Sequence, residues 1–252
     1  MTILHAIATT ASILALTAAT AAAPATGSVR NIVLVHGAFA DGSGWKAVAD
    51  ILKADGYAVS VVQQPMTSIA DDVAATVRVL DMQSGPAVLV GHSYGGAVIT
   101  EAGDHANVAS LVFVAAFAPD EGEALGALSG SIPSAAHSIA PTSDGYLFVD
   151  PAQFPADFAP DLPAELAEFM AVSQMPINGQ IWGTPIAAPA WKVKPSFAIL
   201  TTEDRMINPE LQRSMYDRAK SEITEIAGSH AVFLSQPQAV AEVIEAAAQA
   251  AK

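Results

Sequence analysis

The chain reads as an α/β fold, a mostly parallel, doubly wound sheet with a cap inserted before the late strands. Three observations predict this. From Asn31 onward, short apolar runs alternate with amphipathic stretches, the rhythm of buried parallel strands joined by helices. One such run, residues 87–90, leads straight into Gly91-His92-Ser93-Tyr94-Gly95 and then a helical pattern, which marks a tight strand-to-helix turn. Between Pro119 and Pro195 the rhythm breaks and prolines crowd in.

The elements follow in order. Residues 32–35 form a continuous apolar run ending at His36-Gly37, a buried first strand. Trp45, Val48, Ala49 and Leu52 recur at helical spacing and predict a helix over 45–55, stopped by Gly56. Residues 57–62 are the next strand. A helix over 69–80 carries Asp71 and Asp72 in its first turn, where the helix dipole favours acids. Strand 87–90, helix 94–103 and strand 111–116 come next. After the break, 197–201 is a strand, 223–226 an edge strand, and the Ala-rich 237–250 a closing helix.

The irregular stretch, about 119–195, holds only short helical patches such as 164–173. Long irregular stretches inside a compact domain usually serve function, often as lids, and this one is read as the cap. Phe148, Phe154, Phe158, Phe169, Met170, Met175 and Trp182 are its candidate pocket walls.

Composition narrows the classes. A length of 252 residues suits one α/β domain with an insertion, here 26–252. With 52% hydrophobic and 14% charged residues the chain is neither disordered nor a coiled coil. A net charge of −14 argues against nucleic-acid binding, which needs a basic face. The absence of cysteine excludes disulfides, thiolate metal sites and a cysteine nucleophile. The six histidines show no metal-ligand spacing, so no metal is expected.

Residues 1–25 read as a leader. Positions 6–22 are apolar, uncharged and Ala/Thr/Leu-rich, and run into small residues around 21–25, like a signal peptide with its cleavage site. Residues 1–5 lack the usual Lys or Arg; the other reading is a disordered extension. The expectation is export to the periplasm or medium, or a cytoplasmic protein if the leader is no signal. The run is too Ala-rich for a stable membrane anchor.

Chemistry centres on Ser93. A nucleophilic serine on a strained turn needs small neighbours, and the following helix aims backbone N–H groups at the developing oxyanion. It also needs a base. His5 lies in the leader, His36 and His92 sit within their own motifs, His105 ends a helix and His137 is in the cap. That leaves His230, in the loop Gly228-Ser229-His230 before the last helix. The acid should follow a late strand. Asp204 does so directly, and Asp120, after the 111–116 strand, is the rival. The second oxyanion donor should lie after the first strand, where the Ala38 N–H would join that of Tyr94. His36 is read as a buttress of this loop.

Together, Val33-Leu34-Val35-His36-Gly37-Ala38 with Gly44-Trp45, Gly91-His92-Ser93-Tyr94-Gly95-Gly96, Thr202-Glu203-Asp204 and Gly228-Ser229-His230 resemble the α/β-hydrolase superfamily. More narrowly they are similar to the branch of plant methylesterases, hydroxynitrile lyases and small bacterial esterases. The resemblance covers residues 31–250, the cap least specifically. It implies a Ser93–His230–Asp204 triad, oxyanion donors at Ala38 and Tyr94, and no cofactor. It further implies a carboxylesterase that cleaves small-to-medium esters through an acyl-enzyme on Ser93, its partner being a small-molecule ester. The lyase members carry a Thr after the first-strand His and a Lys after the catalytic His. Here those positions are Gly37 and Ala231, which favours hydrolysis. A lyase or cofactor-free oxygenase on the same fold, or a ligand-binding receptor, are the alternatives.

Overall fold

The apolar runs of the sequence pair into a single sheet whose four central strands are buried on both faces, while the edge strands at 58–62 and 222–226 stay partly exposed. The computed structural model describes residues 29–251, so the leader expected over 1–25 lies outside the described residues. The first half of the chain runs β1 (Asn31–Val35), α1 (Lys46–Ala54), β2 (Ala58–Val62), α2 (Ile69–Asp81), β3 (Ala87–His92), α3 (Gly95–Ala102) and β4 (Val108–Val114). A long insertion follows, with α4 (Leu125–Ser131), β5 (Ile139–Pro141), β6 (Tyr146–Val149), α5 (Phe154–Asp157), α6 (Ala164–Val172) and β7 (Ile177–Asn178). The chain then returns as β8 (Ser196–Thr201), α7 (Pro209–Ala219), β9 (Glu222–Ile226), α8 (Val232–Ser235) and α9 (Pro237–Ala250).

The main sheet has the order β2-β1-β3-β4-β8-β9 and is parallel throughout. Alternate residues feed two cores. Val33, Val35, Leu89 and Phe113 join Leu80, Val98, Ile99, Leu211 and Met215, from α2, α3 and α7, on one face. Ile32, Leu34, Val88, Val90 and Val112 join Val48, Leu52, Val240 and Ile244, from α1 and α9, on the other. After β1 the chain adds β2 on one side, then crosses to lay β3 on the other. Such a reversal opens a crevice at the carboxyl ends of the two central strands, where open α/β sheets hold ligands. The loops at 36–38 and 91–95 both leave from that edge.

Boundaries depart from the sequence expectations for identifiable reasons. The third strand of the central group starts at Val108 because Ser110, which interrupts the apolar run, is buried with its hydroxyl 3.4 Å from the Ala247 carbonyl. It ends at Val114 because Ala115 turns the chain with φ +46°. Tyr57 stays outside β2, with the Arg30 guanidinium over its ring. The periodicity reading missed α7 altogether. Its start is marked by Asn208, whose side chain caps the Glu210 N–H, followed by Pro209 in the first turn. The insertion also forms a small antiparallel sheet, β5-β6-β7, too short to leave a pattern in the sequence.

Candidate active site

β3 delivers Ser93 on a turn that its neighbours make possible. Ser93 sits at φ +53°, a left-handed conformation that costs a non-glycine residue on the order of 1–2 kcal/mol. The turn is locked to β4: Ser93 N–H donates to the Val114 carbonyl at 3.2 Å, and its own carbonyl accepts from Gly96 and Phe117. A Cβ on Gly91 would lie 2.5 Å from the Gly95 carbonyl oxygen, so no larger residue fits beneath the serine. The loop after β1 presses as closely from the other side. A Cβ on Gly37 would come within 2.7 Å of Ser93 Cβ.

That loop is held from below. His36 donates from Nδ1 to the Gly37 carbonyl at 2.9 Å and accepts the Gln64 N–H at Nε2, while Gln64 returns a bond to the His36 carbonyl. Burial pushes the His36 pKa down, which suits the neutral tautomer these bonds require. Ala38 and Tyr94 are both buried, and among the described residues neither backbone N–H has a hydrogen-bond acceptor. Buried unpaired N–H groups are rare and costly, and these two flank Ser93.

His230 stands in the loop between β9 and α8 and completes a relay. The Ser93 hydroxyl donates to His230 Nε2 at 2.8 Å, and Nδ1–H donates to Asp204 Oδ2 at 2.8 Å. The carboxylate can only accept, which fixes the proton on Nδ1 and leaves Nε2 free to take one. Asp204 is clamped in turn. Its Oδ1 accepts the Met206 and Ile207 N–H groups at 2.8 and 2.9 Å, and Oδ2 accepts from Gln212 Nε2 at 2.8 Å and Thr201 Oγ1 at 3.1 Å. The rival acid, Asp120, pairs instead with Lys192. The sequence-predicted Ser93, His230 and Asp204 are therefore brought together, with Ala38 and Tyr94 beside them.

Other residues in this neighbourhood were not foreseen. Gln212, from the unpredicted α7, also accepts the Thr201 N–H and donates to the Ile207 carbonyl, so it fixes the strand end that carries Asp204. His92 donates from Nε2 to the His230 carbonyl at 2.8 Å, with its ring 4.7 Å from the His230 ring. Burial first, then the nearby His230, hold His92 well below the ordinary histidine pKa, so it stays neutral. Asp72 is buried and accepts the Tyr94 hydroxyl at 2.6 Å and the Met66 N–H at 2.9 Å, a larger role than favouring a helix dipole. Desolvation raises its pKa, and burial followed by the Asp72 charge raises that of Tyr94. Only the Asn-Pro-Glu start of α7 left a usable signal in the sequence.

The insertion meets the site at three places. Phe158 packs edge-on against His230, at 4.8 Å between ring centroids, and is itself stacked on Phe154. Trp182 lies against Phe39 and Phe117. Asp161 reaches across to the loop of His230, accepting the Ser229 hydroxyl at 2.5 Å, the Ser229 N–H at 3.0 Å and the Ser235 hydroxyl at 2.8 Å.

An open parallel sheet with a serine on a left-handed turn, followed along the chain by an aspartate and then a histidine that it meets in space, defines a hydrolase architecture. The chain belongs to the Alpha/beta hydrolase family, which it matches over residues 32–243. A carbendazim-hydrolysing esterase of Nocardioides sp. (strain SG-4G) is 34% identical over 112 residues, 39% of this chain and 46% of that one, so the match spans under half of that relative. A pyrethroid hydrolase of Sphingobium wenxiniae is 27% identical over 248 residues, covering 86% of this chain and 87% of the relative. Among solved structures, a pyrethroid hydrolase of Sphingobium faniae superposes with a TM-score of 0.77 at 25% identity, covering 88% of this chain and 98% of that chain. Polyneuridine aldehyde esterase shares the fold, with a TM-score of 0.74 at 18% identity over 86% of this chain and 98% of that one.

Proposed function

We propose that the protein is a serine carboxylesterase acting on small-to-medium carboxylic esters, with Ser93, His230 and Asp204 as its catalytic triad. The observation that carries the reading is the relay of two 2.8 Å contacts, from Ser93 through His230 to Asp204, set against two unpaired N–H groups. Ser93 Oγ attacks the carbonyl carbon as its proton passes to His230 Nε2, and the oxyanion is received by the Ala38 and Tyr94 N–H groups. On collapse the ester C–O bond breaks and His230 protonates the departing alcohol. Water, deprotonated by the same nitrogen, then attacks the acyl-enzyme and releases the acid. The names of the esterase and pyrethroid hydrolase relatives agree with ester cleavage.

The direct test is acid release from a panel of simple esters, followed by pH-stat, together with labelling by a fluorophosphonate. The expected outcome is turnover in wild type, loss of it in Ser93→Ala and His230→Ala, and a label on Ser93 alone. Turnover surviving in Ser93→Ala would sink the assignment. A lyase or oxygenase would take the label yet release no acid from esters, and a receptor would turn nothing over.

The reading includes a small-molecule partner rather than nucleic acid or a membrane. No helix among the described residues is long and apolar enough to cross a membrane. Export through a leader cleaved between residues 21 and 25 is part of the same proposal. A mature N-terminus read by mass spectrometry tests it, and an exported protein that still begins at Met1 rules cleavage out.

A further inference from the structure

We propose that the apolar cavity between α6 and the loop after β1 seats the apolar arm of the ester's leaving alcohol; this rests on the ester-cleaving reading above. The cavity has a volume of about 310 Å³ and is walled by Phe39, Leu166, Phe169, Met170, Phe233 and Leu234. That is the lower end of the roughly 300–1,000 Å³ range of small-molecule sites.

Its position selects the alcohol rather than the acyl side. Phe39 directly follows Ala38, the proposed oxyanion donor, and Phe233 and Leu234 lie in α8, which opens just after His230. His230 Nε2 must hand its proton to the leaving oxygen, so the alcohol departs alongside the loop that His230 belongs to. The cavity takes its walls from the residue that follows Ala38 and from the residues three and four positions after His230, the two loops that carry these functions.

Two features show that the walls are built for an apolar occupant. Phe39 holds φ +64°, a conformation an aromatic residue rarely adopts. The strained backbone turns the ring inward, where it is only 4% exposed and meets Trp182 at 6.5 Å. On α6, Ala167 and Ala171 face the core, while Leu166, Phe169 and Val172 are 39, 64 and 76% exposed. Two of those three line the cavity, so this is a contiguous apolar rim rather than scattered surface. Among the described residues the only charged one in the lining is Asp41, which disfavours an anionic arm. Glu165 and Glu168 on α6, in a chain of net charge −14, disfavour an anionic lipid surface as the alternative occupant.

Each methylene seated in such a cavity tightens binding by roughly three- to fourfold. The test is kcat/KM for ethyl, butyl, octyl and benzyl acetates, beside ethyl esters of rising acyl length, measured by pH-stat. The expected result is an octyl-to-ethyl acetate ratio of about ten or more in wild type, arising mainly in KM. It should fall about fivefold in Phe169→Ser and in Leu166→Ser, both at surface positions where thermal melting checks the fold. Met82→Ser, at a still more exposed methionine capping the end of α2, should keep the wild-type ratio. A flat alcohol series, a ratio that survives both α6 variants, or a loss confined to the acyl series would overturn the subsite while leaving esterase activity standing. No turnover of any ester would overturn the esterase reading, and the subsite with it.

Discussion

Ser93, Asp204 and His230 hang from the ends of β3, β8 and β9, in a sheet whose central strands are buried on both faces. The insertion above them shares the core on one face of that sheet, through Leu125, Phe154, Phe158, Ile177 and Ile181, and touches the site itself through Phe158 on His230, Trp182 on Phe39 and Asp161 on the His230 loop. On the sheet side five hydrogen bonds converge on Asp204, and the Ser93 turn is tied through its backbone to Val114, Gly96 and Phe117. On the insertion side a few side chains make the contacts with the site, and α6 leaves Leu166, Phe169 and Val172 exposed beside Glu165 and Glu168. Reacting groups tolerate displacements of only about half an ångström, so they belong on the rigid layer. The part that meets the variable portion of a substrate is free to differ.

The largest effects should therefore come from the sheet side. Asp204→Asn keeps the shape but no longer holds His230 in the tautomer that accepts the serine proton. By analogy with the same change in serine proteases, kcat should drop about 10⁴-fold with little change in KM; a loss below tenfold would mean that the relay is not the engine. Gln212→Ala is next. It strips a hydrogen bond from Asp204, the Thr201 N–H and the Ile207 carbonyl at a fully buried position. Urea unfolding should show a loss of about 1–3 kcal/mol, and kcat should fall with it. Tyr94→Phe separates structure from chemistry. It leaves the buried Asp72 without its hydroxyl donor and should also cost about 1–3 kcal/mol. Its backbone N–H is untouched, so kcat should stay within about threefold, and a hundredfold loss would argue that the side chain matters for the reaction.

The same contrast governs what the sequence disclosed. Strands buried on both faces leave continuous apolar runs, and a nucleophile on a strained turn demands small residues at fixed offsets. Ser93, its flanking glycines and the Ala38 loop were therefore readable as a candidate site, as were Asp204 and His230 from their positions after late strands. Gln212 was not, because a single glutamine on an amphipathic helix looks like surface until the fold buries it. Asp72 looked like an ordinary first-turn acid for the same reason. Asp161 was beyond reach. Nothing in Pro160-Asp161-Leu162-Pro163 reveals that its partners are Ser229 and Ser235, some seventy residues away.

Asp161 gives the smallest effect and the sharpest test of how the two regions are joined. Burial alone would raise its pKa, but hydrogen bonds from the Ser229 hydroxyl and N–H and from the Ser235 hydroxyl outweigh it and hold the carboxyl below its ordinary value. A carboxylate whose pKa is lower in the folded than in the unfolded chain adds stability above the unfolded value of about 3.9 and loses it as pH falls through the folded one. Asp161→Asn keeps one acceptor oxygen and turns the other into a donor facing donors. At pH 7 urea unfolding should show a deficit of about 1 kcal/mol, modest because the group is partly exposed, with kcat lowered about threefold as the His230 loop loosens. As pH falls below about 4 the deficit should begin to shrink, since the unfolded wild-type chain then takes up a proton that the folded carboxylate resists. An equal deficit at pH 7 and pH 3 would mean that Asp161 joins the insertion to the His230 loop by packing rather than by charge.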